Sequence, residues 1–258
     1  MPSGPFTPRP GAAPLPRMVA AQARMELRVL LRNGEQLILT MVIPVMLLVL
    51  FSLAPLIDVG TTTRVDFLAP GVLALAVMST AFTGQAIGTG FERRYGVLKR
   101  LGTTPLPRIG LLAAKSLAVL AVQALQISVL CGVAVALGWT PQLSVPGILS
   151  AVLLVLTATA AFSSLALLLA GTLRAEATLA AANLVYVMLL GLGGVVFPTE
   201  RLGETIQPVL TALPITALVD GLRATLNEGA ALPLGPLLVL LAWAVLGAAL
   251  ASRYFRWD

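Results

Sequence analysis

The sequence predicts an all-α polytopic membrane protein. It has six transmembrane helices, an interfacial helix before the first, and short re-entrant helices before the last. Three observations predict this. Of 258 residues, 58% are hydrophobic and 11% charged, with a mean hydropathy of +0.95, whereas a soluble domain carries about 25% charged residues. Six apolar runs are long enough to cross a bilayer, each crossing needing roughly 20 residues. Basic residues gather between the runs: residues 91–108 hold five of the 17 Lys and Arg. A soluble α/β enzyme is excluded, and little chain remains for any soluble domain.

The elements follow in order. Residues 1–17 contain six prolines and no apolar run, which predicts a disordered tail and not a signal peptide. In 18–36, Arg24, Arg28 and Arg32 recur at helical spacing opposite Met18, Ala21, Met25, Val29 and Leu30. A basic amphipathic helix of this kind lies in the interface plane; an ordinary juxtamembrane basic flank is the competing reading. The spans are 37–56, with a kink at Pro44, then 67–90, 109–138, 147–173, 177–197 and 233–252. The third exceeds a bilayer's thickness, so it tilts or projects beyond it. Lys115, near its start, is expected to snorkel to the surface.

Segment 91–104 mixes Glu92, Arg93, Arg94, Lys99 and Arg100 with apolar Val97, Leu98 and Leu101, and a Thr-Thr-Pro-Leu-Pro stop follows. This predicts a short amphipathic helix at the membrane surface, broken at Pro105, that another protein can grip. Residues 198–232 are too apolar for a free domain. They predict two short helices broken at Pro208 and Pro214, dipping into the outer leaflet and packed on the spans, with a surface helical hairpin as the alternative.

Charge counting sets the orientation. With the N-terminus inside, the inside segments carry 14 basic residues and the outside segments three, as the positive-inside bias requires. Both termini are then cytoplasmic. The net charge of +6 serves orientation rather than nucleic acid, because no basic tract is free of flanking spans.

The chemistry of several function classes is missing. Histidine is absent and Cys131 is the single cysteine, which argues against a disulfide, a cysteine metal site or a histidine proton shuttle. Residues 110–116, GLLAAKS, imitate a phosphate loop, but the two required glycines are replaced by Ile109 and Ala114. Gly84-x-x-x-Gly88 and Gly191-x-Gly193-Gly194 read as small-residue packing faces. Acidic residues sit at span ends, loops and termini, so an ion-coupled carrier lacks its mid-membrane site. A prenyltransferase lacks clustered aspartates. Energy for uphill transport must come from elsewhere.

These parts resemble the membrane permease subunits of type-2 ABC exporters, including drug-efflux permeases of the daunorubicin-resistance type. Three stretches carry the resemblance: ARMELRVLLRNGEQLILTMVIPVMLLVLF, ERRYGVLKRLGTTPLP, and 197–226 with Leu213-Pro214 and Val219-Asp220-Gly221-Leu222-Arg223. It covers the chain from residue 18 to 258 and implies a transmembrane domain of that family. It further implies that the chain binds no cofactor itself, with ATP and Mg held by two separate ATP-binding subunits. A second permease copy or a paralogue would complete the transporter within the membrane lipids. The 91–104 helix would be the coupling helix, using Glu92, Arg93, Arg94, Val97, Leu98 and Leu101, joined by Arg174 and Glu176 and flanked by the 18–34 helix. A path for a hydrophobic or amphiphilic substrate would be lined by Met41, Met46, Phe82, Thr83, Asn183 and Tyr186. The resemblance implies export across the plasma membrane; an ion-coupled carrier and a non-transporting scaffold are the other classes in play.

Overall fold

The computed structural model describes residues 11–32, 34–54, 64–196 and 205–254. All regular elements among them are helical. Residues 1–10 of the expected tail, residue 33, and residues 55–63, 197–204 and 255–258 lie outside the described residues.

The centre of the bundle is one unbroken helix from Arg64 to Arg94, 31 residues long. It consists of α3 (Arg64–Met78), a widened π turn (Ser79–Gly84) and α4 (Gln85–Arg94). At 1.5 Å per residue it measures about 46 Å, well over the roughly 30 Å of a hydrocarbon core, so it tilts or projects beyond it. It is also the most enclosed span: 83% of its most apolar window is buried, against 17% for each of the last two spans. Nearly every residue from Leu68 to Met78 is apolar and buried, which is why no polar stripe marks it in the sequence.

Around it stand α1 (Leu15–Arg32), α2 (Gly34–Leu53), α6 (Arg108–Ala136), α7 (Val145–Thr172), α8 (Ala175–Leu192) and α11 (Leu234–Tyr254). Five described helices are long and apolar enough to cross a membrane; α2, at the expected first span, contributes a shorter apolar stretch, Thr40–Leu53. It continues through Pro44 as one helix. The tightest packing joins α7 and α11, where a Cβ added at Gly247 would collide with the Ser164 hydroxyl.

Several boundaries differ from the sequence reading. The first helix begins at Leu15, inside the expected tail, because Pro14 and Pro16 fall where a helix start tolerates proline, and the Pro14 carbonyl accepts from Arg17 and Met18. It ends at Arg32, four residues early. Span five stops at Leu192, not 197: Gly194 turns the chain with φ +71°, and buried Val195 and Val196 run back past Gly71. Segment 91–104 is not one helix. Its first four residues finish α4, Gly96 reverses the chain with φ +70°, and α5 is only Val97–Gly102. The Thr103 and Thr104 hydroxyls take the Arg100 and Leu101 carbonyls, closing α5 before Pro105 is reached.

The opposite end of the bundle is covered by α9 (Gln207–Thr211) and α10 (Pro214–Leu226). Pro208 and Pro214 start these helices rather than break them, as their lack of an N–H allows. Nine of the 13 residues of α10 are buried, against α3, α7 and α11. Arg223 clasps it to the central helix. Its guanidinium stacks 3.7 Å from the Phe67 ring centre and donates to the carbonyls of Phe67 (3.2 Å) and Gly194 (2.8 Å). Asn227 donates to the Asp66 carbonyl at 2.5 Å and accepts from Trp139 Nε1 at 3.2 Å.

Mid-span polar residues join α6 to the central helix. Gln123 donates to the Val77 carbonyl at 3.2 Å and faces the Thr159 hydroxyl at 2.9 Å. Gln126 donates to the Thr40 carbonyl at 2.6 Å and accepts from Thr80 at 2.8 Å. Four helices thus meet through two amides beside the π turn.

Two stability outcomes follow from these contacts. Replacing Gln123 by Leu leaves the Val77 carbonyl without its side-chain donor and should lower unfolding stability in detergent by about 1 kcal/mol, the scale of interhelical hydrogen bonds in membranes. Arg223→Ala should cost more, about 2–3 kcal/mol, since stacking and two carbonyl contacts go together, with Arg223→Lys intermediate. Chemical denaturation followed by tryptophan fluorescence measures both.

Candidate functional site

The C-terminal end of the central helix gathers the charges. Glu92, Arg93 and Arg94 occupy its last turn, and each faces a different neighbour. Glu92 accepts from Lys115 of α6 with both oxygens, at 2.8 and 2.6 Å. Lys115 also reaches Glu26 of α1 at 3.1 Å, and Gln22 steadies Glu26 at 2.9 Å. The three charged side chains are 8%, 26% and 13% exposed for Lys115, Glu92 and Glu26. Lys115 therefore does not snorkel. It lies two turns inside α6, enclosed by α1, and two carboxylates neutralise it in place.

Arg93 donates to the Leu173 carbonyl at 2.6 Å, capping the C-terminal end of α7. Arg94 pairs with Glu176 in the first turn of α8. The α7–α8 turn is thus held by the same helix end that grips α1 and α6. Gly90 faces Thr178, whose methyl would be 3.4 Å from a Cβ there, an ordinary packing distance.

Of the expected gripping residues, the structure brings Glu92, Arg93, Arg94 and Glu176 together, but as contacts within the chain. Arg174 caps α8 with its side chain exposed, and does not join them. Leu98 is 3% exposed and faces inward. Val97 and Leu101 are half-buried, and Lys99 and Arg100 are exposed, so the outer face of α5 is basic with an apolar margin. Arg24, Arg28 and Arg32 are exposed on α1, while Ala23, Glu26, Leu27 and Leu30 are partly covered where α1 packs on α6.

The expected substrate-path residues do not converge within one chain. Met41 and Met46 line a shallow apolar groove on α2. Phe82 is buried in the π turn, and Thr83 beside it has a buried hydroxyl with no partner among the described residues. Asn183 is exposed and Tyr186 half-buried on α8. The glycine patterns also divide: Gly193 packs against Ile215 as a small-residue face should, whereas a Cβ at Gly88 would meet nothing within 4 Å. Gly88 opens a space rather than closing one.

Sequence reasoning missed the Glu26–Lys115–Glu92 cluster and the paired glutamines. The signal for the second was present: Gln123 and Gln126 stand one turn apart in an otherwise apolar run. Nothing in the sequence placed Glu26 beside Lys115, which is 89 residues away.

No nucleotide-binding motif accompanies this end, and among the described residues no cluster of metal-ligating side chains occurs. Comparison with curated proteins returns no match. A family model for the ABC-2 type transporter matches residues 19–227, which takes in all but the first turn of α1 and every element from α2 to α10. The chain belongs to the ABC-2 type transporter family, as a multi-pass membrane permease part and not as the ATPase.

Proposed function

We infer that the chain is the permease subunit of an ATP-driven exporter and moves a hydrophobic or amphiphilic substrate (a drug, lipid or glycolipid) across the plasma membrane. Family membership implies ATP-binding partner subunits in general. In this reading there are two, and a second permease copy or paralogue completes the pore. The α1/α5 end is cytoplasmic, in keeping with the excess of basic residues there. The first span is α2, which makes six crossings.

The observation that carries the reading is the convergence at Arg94. A segment that a partner can push, α5, is joined by one glycine turn to a helix whose last turn holds α1, α6, α7 and α8. Movement delivered to α5 is therefore delivered to four other helices at once, as a rigid-body mechanism needs. The basic outer face of α5, with Lys99, Arg100 and the apolar edge of Val97 and Leu101, meets the ATPase. Leu98 anchors α5 from within.

Two outcomes test this. Leu101→Asp, on the half-buried outer edge, should reduce co-purification of the ATP-binding subunit at least tenfold while the permease itself remains folded; unchanged co-purification with undiminished ATP-driven efflux would sink the docking assignment. Leu98→Asp is unsuitable because it would bury a charge. Separately, Arg94→Glu should lower ATP-driven efflux several-fold yet change stability by less than about 1 kcal/mol, since the pair is exposed. Adding Glu176→Arg should restore most of the efflux. Failure of the swap to restore it would show that the pair does not transmit movement.

A further inference from the structure

A cavity of about 70 Å³ lies between α1, α2, the central helix and α6. Glu26, Glu92, Lys115, Gln85, Thr80 and Gly88 are part of its wall. Lys115 donates to Glu26 Oε2 (3.1 Å) and to the Glu92 carboxylate (2.8 and 2.6 Å). Two carboxylates against one ammonium leave one formal negative charge in the wall. The single Thr80 proton lies between Gln126 Oε1 at 2.8 Å and the Ala76 carbonyl at 3.0 Å.

Gln85 adds an unmet acceptor to that charge. It is 8% exposed, and its Oε1 is buried with no hydrogen-bond partner among the described residues. A buried acceptor left unmet destabilises the fold, so the position calls for a donor from outside the chain. The space would hold a few water-sized groups, each needing roughly 10–15 Å³. Water would supply a donor but would leave the negative charge unanswered. A bare metal ion would need about six oxygens converging on one point, whereas Gln85 and Glu92 are seven positions apart on one helix, about 10 Å along its axis. An ammonium group answers both deficits: its N–H donates to Gln85 Oε1 and its charge sits in the field of the carboxylates. The carbon attached to it has the apolar wall of α6, Ala118 and Val122, to lie against.

We propose that this cavity binds a primary ammonium group, carried by a lipid headgroup or by a free amine. Gly88 forms its opening: the residue is exposed, and a side chain there would project into free space. The site stands apart from the transport reading, because its occupancy is measured without an ATPase or a substrate.

The test uses the purified full chain in nanodiscs of phosphatidylcholine and phosphatidylglycerol. Its thermal unfolding midpoint is followed with ethanolamine, choline or sodium chloride at equal ionic strength. Ethanolamine at ten times its Kd should raise the midpoint by roughly 2–5 °C. Choline, which has no N–H, and sodium should not. A matching rise in discs containing phosphatidylethanolamine, with no added amine, assigns the ammonium to lipid; a rise only with ethanolamine assigns it to a soluble amine. Gln85→Leu removes the acceptor and Gly88→Val fills the opening, and each should abolish the response. If Gln85→Leu does not fold, Gly88→Val carries the comparison. Equal responses to choline or sodium, no response in either disc, or a response that survives substitution would overturn the proposal.

Discussion

Hydrogen bonding inside hydrocarbon has no solvent to fall back on, and this shortage is what binds α6 to the central helix. The π turn at Ser79–Gly84 disturbs the regular ladder beside Val77, whose carbonyl receives the Gln123 amide at 3.2 Å. One turn further on, Gln126 spans from Thr80 to the Thr40 carbonyl. Each amide uses both its donor and its acceptor between different helices. Apolar packing alone would let α2, α6 and α7 slide, since lipid tails are as good a neighbour as Leu or Val. The two amides fix their register against the central helix, and with it the position of the charged last turn, about three to five helical turns away.

That dependence explains what could be read from the sequence and what could not. Apolar runs separated by basic residues are a one-dimensional signal, so the spans at 67–90, 109–138, 147–173 and 233–252 were placed within a few residues of the helices that form. The amphipathic helix before α2 was legible for the same reason. Its neighbour was not: the spacing of Arg24, Arg28 and Arg32 shows which side is basic, but packing on α6 involves Glu26, whose partner is far along the chain. Segment 91–104 looked like one helix because its charges are continuous, yet Gly96 takes the left-handed conformation that glycine alone adopts freely. Leu98 fell among charges and still turned inward. Local pattern identifies an amphipathic element; which of its faces the rest of the chain covers is a tertiary fact.

The α10 end shows the converse case. Residues 213–222 carry few charges, and that scarcity predicted burial against the spans. Arg223, the one strongly basic residue of the helix, looks unsuited to such a place. Its guanidinium is matched by the backbone carbonyls of Phe67 and Gly194 and by a ring face, a combination suited to a planar, weakly hydrated cation. The polar residue is what holds the apolar helix down, so this end behaves as a fixed cap on the central helix.

The other end is held by two grips of unequal strength. Glu92, Lys115 and Glu26 are largely buried, and removing one partner from such a cluster typically costs about 3–5 kcal/mol. Arg94 and Glu176 are 50% and 63% exposed, and a pair of that kind contributes about 0–1 kcal/mol. The Arg94–Glu176 pair is therefore the weaker of the two polar grips. The Arg93 contact with Leu173 lies between these limits, because the carbonyl is at a helix end and the guanidinium is partly covered. The polar grips on α7 and α8 are the weaker ones, and close packing of α4 on both helices keeps the central helix joined to them.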